Sequence, residues 1–184
     1  QMSGLKQARS NADNAVSLIQ VAEGGLNEQN NILIRLRELG IQAASDNISD
    51  TERGFLNEEF KQLLSEFDRI AKTTQFGTKK LLAGQGQNFE FQVGPNADKD
   101  NVISYTLDAD TTSSTMKVEK LTIEKKTEAR EGLTDIDAAL TKLSGIRANF
   151  GAIQSRFQMA VSNLDIQYEN IAAARSRIAD TDIA

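Results

Sequence analysis

The chain has 184 residues, of which 39% are hydrophobic and 26% charged, with a formal net charge of −5 and neither Cys nor His. Lys and Arg are scattered, so the basic footprint that nucleic acid binding needs is missing, and no stretch is apolar enough to cross a bilayer. The lack of thiol and imidazole side chains removes disulfides, most zinc sites and the commonest acid–base residue. The composition therefore argues against an enzyme, a nucleic-acid-binding protein and a membrane protein, and it predicts no cofactor, no metal site and no catalytic residues.

The first predicted element is a long helix that begins near residue 5. Its apolar positions alternate three and four residues apart, which is the heptad pattern of a helix with one narrow buried seam; they are Leu5, Ala8, Ala12, Ala15, Ile19, Ala22 and Leu26. We interpret Gly24 and Gly25 as a close-packing or bending point inside this helix, with a break as the alternative. A polar stretch at 45–50 ends the helix.

A second helix is predicted to begin after Ser49, which forms a capping-box pattern with Glu52. Its stripe has the same three- and four-residue spacing, at Leu56, Phe60, Leu63, Phe67 and Ile70. Phe55 and Leu64 widen this stripe, so we expect a broader buried face. The helix should end near 72–74.

The pattern then changes to that of a β-hairpin. Apolar and polar residues alternate at 89–93, a Gly-Pro-Asn turn follows at 94–96, and a second candidate strand covers 102–107. The Thr- and Ser-rich segment 108–117 is predicted to be a surface loop. Residues 118–123 are a candidate for one further short strand.

The last third predicts a second long helix that begins near Thr127 and continues with apolar residues three and four apart. A helix of roughly fifty residues spans about 75 Å. The predicted fold class is therefore mainly α, an elongated antiparallel bundle of three main long helices with a small β-hairpin region.

The same patterns divide the sequence into three segments of one structural domain. They are an N-terminal helical core at 1–74, a β-hairpin with a short variable loop at 75–126, and a C-terminal long helix at 127–184 that packs on the N-terminal helices. The heptad seams continue to both ends of the sequence, so we expect the chain to be a fragment of a longer coiled coil.

Several runs of residues resemble bacterial flagellin, in the same order along the chain. They are Ala22-Glu23-Gly24-Gly25-Leu26-Asn27-Glu28, Leu36-Arg37-Glu38-Leu39 with Gln42, Thr74-Gln75-Phe76-Gly77 before Lys80-Leu81-Leu82, Phe91-Gln92-Val93-Gly94 with Asn96, and Ala174-Arg175-Ser176-Arg177-Ile178 with Asp180 and Asp182. Relative to this family the extreme termini and the large outer variable domains are absent.

The resemblance implies a secreted, extracellular structural subunit of the bacterial flagellum, which polymerises with other flagellin subunits into a filament. In that family the extreme termini form the inner wall of the filament, so their absence bears directly on self-assembly. The export chaperone of the family grips the missing C-terminal segment, so we expect that partner only where this segment is present.

The resemblance also implies recognition by the animal Toll-like receptor that senses flagellin. A gapless comparison places the main contacts at Arg35, Leu39 and Gln42 on the first helix and Glu59 on the second. Periodicity alone favours a different interpretation, in which Ile32 and Leu39 form the edge of the core and Arg35 is solvated. The resemblance instead makes this flank, Ile32 included, a surface for neighbouring subunits and for the receptor.

Two alternatives to a filament subunit remain at the level of sequence. One is a hook–filament junction protein, which shares flagellin-like helices, and the other is an adhesin or receptor ligand without filament formation. The run Arg175-Ser176-Arg177-Ile178 favours flagellin. An enzyme is a distant third alternative, since the adjacent Glu58 and Glu59 point to different sides of a helix.

Overall fold

Three α-helices contain most of residues 1–183, the part of the chain that the computed structural model describes. They are α1 (Met2–Ala43), α2 (Asp50–Thr73) and α3 (Lys126–Ile183), and the strands between α2 and α3 are β1 (Gln75–Phe76), β2 (Lys79–Lys80), β3 (Gln87–Gln92) and β4 (Val102–Leu107). The strands form two two-stranded sheets, β1 with β2 and β3 with β4. The predicted fold class, mainly α with three main helices and a small β-region, is confirmed.

By spatial contact the chain divides into two compact units, and α1 and α3 contribute to both. The hairpin unit contains residues 1–20, 87–106 and 151–183, and the three-helix unit contains residues 21–86 and 107–150. These units group residues by spatial contact, whereas the predicted segments at 1–74, 75–126 and 127–184 divide the chain in sequence order. The two divisions cannot be compared directly, so the segments stay a prediction.

In the hairpin unit, α1 and α3 are antiparallel. Arg9 Nε lies 2.6 Å from Asp165 Oδ1, whereas the earlier Met2 accepts a 3.6 Å hydrogen bond from the later Arg175. The core between them is thin and apolar, with buried Leu5, Ala8 and Leu164. Small residues such as Ala on the α1 seam let the two helices approach closely.

Strands β3 and β4 form the predicted hairpin and pack on both helices of this unit. Val93 N–H donates to Asn101 O at 2.8 Å near the turn, and Asn88 bonds Ser104 at 3.3 Å farther along, which makes the strands antiparallel. The ring of Phe91 meets the ring of Phe157 edge-on, with centroids 5.3 Å apart. Edge-to-face contact is a favoured aromatic geometry, so this pair attaches the hairpin to α3.

In the three-helix unit, α1 and α3 are also antiparallel. Arg37 pairs with Asp137 at 2.7 Å, and the later Asp46 pairs with the earlier Lys126 at 2.6 Å. The large side chains of the core are fully buried, among them Leu26, Leu33, Leu36, Phe60, Phe67 and Phe150. The heptad seam of the sequence is therefore the actual core.

The turn between α1 and α2 is held by the buried side chain of Arg53. Its Nε donates to Ala43 O at 2.7 Å and its Nη2 donates to Ser45 O at 2.6 Å. Ala43 is the last residue of α1 and Ser45 lies in the turn directly after it, where no further helical N–H is present to bond these carbonyls. Ser49 Oγ accepts from Glu52 N at 3.2 Å, which confirms the predicted cap of α2.

Gly25 is a close-packing point inside an unbroken helix, as predicted. A Cβ added there would lie 2.7 Å from Thr74 Oγ1 and 3.0 Å from Leu82 Cδ1. The absence of a side chain thus lets the end of α2 and the following chain lie against α1. None of the helices within residues 1–183 is both long and apolar enough to cross a membrane.

Three local predictions are wrong. Phe55 does not widen the buried face of α2, because its side chain is 71% exposed. The segment 108–117 is not simply a surface loop, since Thr111, Ser113 and Met116 are buried in it. Residues 118–123 form turns and not a strand, because Val118 N–H bonds the nearby Ser113 O and Leu121 N–H bonds Val118 O.

Candidate assembly and recognition surface

Arg35 lies on α1 between the buried Leu33 and Leu36, and its guanidinium reaches across to α2. Its Nε donates to Glu59 Oε2 at 2.7 Å and its Nη2 donates to Glu59 Oε1 at 3.1 Å, a two-pronged arrangement. Its Nη1 also donates to Glu38 Oε2 at 3.2 Å. The forked geometry fixes the orientation of both side chains on the surface.

The hydrogen bonds of this pair stabilise both charged forms. The bond to Glu59 is the main cause that raises the pKa of Arg35, and the bond to Glu38 adds to it. The bond from Arg35 is likewise the main cause that lowers the pKa of Glu59. Both side chains remain about half exposed, at 47% and 45%, so dissolved salt screens their attraction. The pair offers a partner a fixed guanidinium and a fixed carboxylate at neutral pH.

The other predicted contact residues differ in exposure. Gln42 is exposed, Ile32 is half-buried, and Leu39 is completely buried. The expectation that Leu39 lies on an outer flank is therefore wrong; it is a core residue, as the periodicity alone favoured. The structure brings together Arg35 and Glu59, with Gln42 two helical turns farther along α1.

The exposure of several hydrophobic side chains was not predicted from the sequence. They are Ile34 and Ile41 on α1, Phe55 on α2, and Met159, Ile166 and Ile178 on α3, with 44–72% of each side chain exposed. The signal was present, because Ile34 and Ile41 stand seven residues apart and off the heptad seam, and so do Met159 and Ile166. Each pair lies on one face of its helix, so these faces are the candidates for an association surface.

Gln29 is a buried polar anchor in the α1 seam. Its Nε2 donates to Phe67 O at 3.0 Å and to Thr111 O at 3.1 Å. One amide therefore fixes α2 and the segment 108–118 against α1. The heptad register alone gave no indication of these partners, which lie 38 and 82 residues away.

Two carboxylates hold the segment 108–118 from the other side. Burial alone would raise the pKa of Asp68, but bonds from Lys72 and from the Ser113 N–H and hydroxyl outweigh it and lower that pKa. Burial alone would also raise the pKa of Asp110, but the hydrogen bonds from Thr112 and Thr115 outweigh that effect, so the pKa is lowered. Within residues 1–183, no group of three or more Asp and Glu side chains is arranged to hold a metal ion.

Comparison with known sequences identifies both ends of the chain. Residues 1–87 match the family described as the bacterial flagellin N-terminal helical region, and residues 133–184 match the bacterial flagellin C-terminal helical region. A flagellin from Halalkalibacterium halodurans is 38% identical over 185 residues, which cover 100% of this chain and 67% of that protein. The flagellar filament 30.7 kDa core protein of Treponema maltophilum is 38% identical over 196 residues, covering 100% of this chain and 69% of that protein.

Solved structures give the same result for the fold. The crystal structure of Bacillus cereus flagellin is 30% identical, with a TM-score of 0.75 over 90% of this chain and 94% of that chain. A putative flagellar hook-associated protein from Vibrio parahaemolyticus has a TM-score of 0.72 over 94% of this chain and 92% of that chain, at 13% identity. At that identity the second likeness concerns the fold alone.

Proposed function

This chain belongs to the bacterial flagellin family, and we propose that it is a structural, non-enzymatic subunit of an extracellular flagellar filament. The observation that supports the proposal is the set of apolar side chains exposed on helix faces away from the core, such as Ile34, Ile41 and Ile166. Full burial of one such side chain is worth about 1.5–3 kcal/mol. Each contact with a neighbouring copy is modest, but a filament repeats it for every subunit.

The mechanism of assembly follows from the placement of these groups on different helices. When one face of a copy meets a different face of the next, the contact does not close on itself and propagates into a filament. The partners are other flagellin subunits. The net charge of −5 opposes the approach of like copies, so salt should favour assembly.

The test is polymerisation of the complete gene product, followed by light scattering and electron microscopy. The double variant Ile34→Ser with Ile41→Ser should raise the concentration needed for filaments by about tenfold, which corresponds to about 1.4 kcal/mol. The matched control is Gln20→Ser on the same helix, which should polymerise as the unchanged protein does. Absence of polymer at every salt concentration would contradict the proposal and favour an adhesin or receptor ligand.

The runner-up, a hook–filament junction protein, differs in copy number. A filament subunit should be the most abundant protein of sheared filaments, whereas a junction protein would be a minor component. Quantitative mass spectrometry of sheared filaments separates the two.

A second role is recognition by the flagellin-sensing Toll-like receptor of animals. The exposed Arg35–Glu59 pair with Gln42 favours it, because Arg beside apolar surface is a frequent composition of binding hot spots. Leu39 would act in this role only by packing beneath the surface, since it is fully buried.

The receptor role is tested with an Arg35→Ala variant in a receptor-signalling assay. We expect a loss of potency of about tenfold or more, in the range of a hot-spot residue. Arg69→Ala is the matched control, because Arg69 also forms an exposed ion pair on the surface, with Glu66 at 2.7 Å. Unchanged potency of Arg35→Ala would remove the receptor role and leave the filament function intact.

A further inference from the structure

The side chain of Phe55 is the exception among the phenylalanines of the chain. The other seven of the eight are buried or half-buried, whereas Phe55 is 71% exposed on α2. A single exposed apolar residue needs no explanation by itself, because much of any protein surface is apolar. The surroundings of the ring therefore decide whether it belongs to a binding surface.

Phe55 lies between two contacts that join α2 to α1. Four residues later in the chain, Glu59 holds the guanidinium of Arg35, and two residues earlier Arg53 Nε donates to Ala43 O at 2.7 Å. The two helices are antiparallel here, so the same interval on α1 runs from residue 35 to residue 43. Phe55 is therefore at the level of the predicted receptor contacts on α1.

The receptor surface predicted from the resemblance lacks its apolar member. Leu39 is fully buried, so only Arg35, Gln42 and Glu59 offer exposed side chains. Phe55 lies one helical turn from Glu59 on the same side of α2, within the interval that these three residues span. Its ring supplies the apolar contact that Leu39 cannot make. An apolar anchor at the centre of a polar rim is the usual anatomy of a protein interface.

The part of the rim on α2 is negatively charged. Glu52 and Glu58 lie one helical turn before and after Phe55, and both are exposed. The carboxylate of Glu52 bonds the Ser49 hydroxyl, and neither carboxylate forms an ion pair within residues 1–183. A partner that offers an apolar pocket bordered by Lys or Arg would match both the ring and the charges.

We propose that Phe55 is the central anchor of the receptor surface and enters an apolar pocket of the receptor that is bordered by basic side chains. The proposal rests on the receptor role and adds a contact that the resemblance does not contain. It gives this surface an apolar centre although Leu39 is buried. Because the ring of Phe55 is outside the core, its part in binding is separable from stability.

The anchor is tested by binding of the receptor ectodomain to the complete gene product in its monomeric form. Phe55→Ala should weaken the affinity by about thirtyfold, the loss typical of a hot-spot residue. Phe55→Leu should weaken it by only about threefold, because an apolar side chain remains. Met159→Ala is the matched control, since it removes a side chain of equal exposure, 72%, from α3 and should leave the affinity unchanged. Circular dichroism checks that each variant is folded.

The outcomes separate this inference from the receptor role. Weaker binding by Arg35→Ala, together with binding by Phe55→Ala equal to that by Met159→Ala, overturns the inference alone. Unchanged binding by both Arg35→Ala and Phe55→Ala overturns the receptor role and the inference with it. If Phe55→Ala leaves the receptor affinity unchanged but raises the concentration needed for filaments by about tenfold, the ring binds a neighbouring copy and the inference is wrong.

The basic border of the pocket is tested through the rate of association. Glu58→Gln should lower the association rate constant by about threefold at low salt, and the difference should disappear at high salt because salt screens the attraction. Glu169→Gln is the control, since it removes an exposed carboxylate from α3. Equal rate constants for the two variants at low salt would overturn the charge complementarity of the proposed pocket.

Discussion

The two compact units differ in how they use polar side chains inside. The buried polar side chains of residues 1–183 all belong to the three-helix unit; they are Gln29, Arg53, Asn57, Thr111 and Ser113. The core of the hairpin unit is apolar, and its helices meet through Ala and Leu with an exposed Arg9–Asp165 pair alongside.

This difference separates two ways of holding helices together. A buried hydrogen-bonding group accepts one arrangement, because any shift leaves it unpaired in a medium of low dielectric constant. Apolar contacts have no such directionality and tolerate small adjustments. We therefore expect the register of the three-helix unit to be fixed by its polar anchors, and that of the hairpin unit by shape and by the hairpin.

The largest expected effect concerns Phe157, the buried ring that joins α3 to the hairpin. Phe157→Ala should lower the free energy of unfolding by about 3–5 kcal/mol. Hydrogen exchange should show the loss of protection mainly at residues 87–106, while the amides of α2 stay protected. Phe55→Ala is the control and should have little effect, since that ring is 71% exposed. Equal loss of protection in both units would show that they unfold together, which would contradict the proposed difference between them.

Arg53 comes next, because it is a buried cation that bonds the end of α1. Arg53→Met should lower the free energy of unfolding by about 2–3 kcal/mol, since the carbonyls of Ala43 and Ser45 lose charged donors. Urea unfolding followed by circular dichroism measures it. Arg69→Met removes an exposed arginine from the same helix and should leave the urea midpoint unchanged.

Substitution of Gln29 should lower the free energy of unfolding less than substitution of Arg53, but it should loosen the segment 108–118 locally. Gln29→Met keeps the length of the side chain but removes the donor that the carbonyls of Phe67 and Thr111 share, for about 1–2 kcal/mol. Hydrogen exchange at 108–118 should become faster than the change in global stability accounts for. Leu33→Met on the same seam removes no polar partner and should leave that segment protected; an identical response would contradict the anchoring role.

The smallest expected effect is a dependence on pH. The pKa values of Asp68 and Asp110 are lower in the folded chain than the ordinary 3.8, so near that pH the folded chain binds fewer protons than the unfolded chain. Their contribution is complete above the ordinary value and is lost as the pH falls through the lower folded pKa. Acid titration of the unchanged protein and of Asp68→Asn should show that the free energy of unfolding falls less steeply with pH in the variant. Parallel curves would contradict this.

The sequence predicted the helices well because heptad spacing is local information. The apolar spacing from Leu5 to Leu26, the polar stretch at 45–50 and the Ser49 cap placed the ends of α1 and the start of α2 to within a few residues. The width of a buried stripe is not local, because it depends on what packs beside the helix. Phe55 was therefore predicted to be buried, although its side chain is exposed.

The segment 108–117 was misjudged for the same reason. Its Thr and Ser content is typical of a surface loop, but its anchors come from Gln29 and Asp68, which are 82 and 45 residues away. For the candidate surface, sequence named Arg35 and Glu59 correctly as exposed groups. It did not predict that they bond each other, nor that Leu39 is fully buried.

The double anchoring of the segment 108–118 has a practical consequence. Asp110 receives the hydroxyls of Thr112 and Thr115, and Val118 N–H closes the segment on Ser113 O at 3.0 Å, while Ser114 itself is exposed. A passenger peptide inserted after Ser114 would enlarge a loop whose ends are already fixed, at about 0.6 kcal/mol for each doubling of its length. The position thus suits dense display of a foreign epitope along a polymer, and antibody labelling of insertion variants by electron microscopy would measure how long a guest the chain carries.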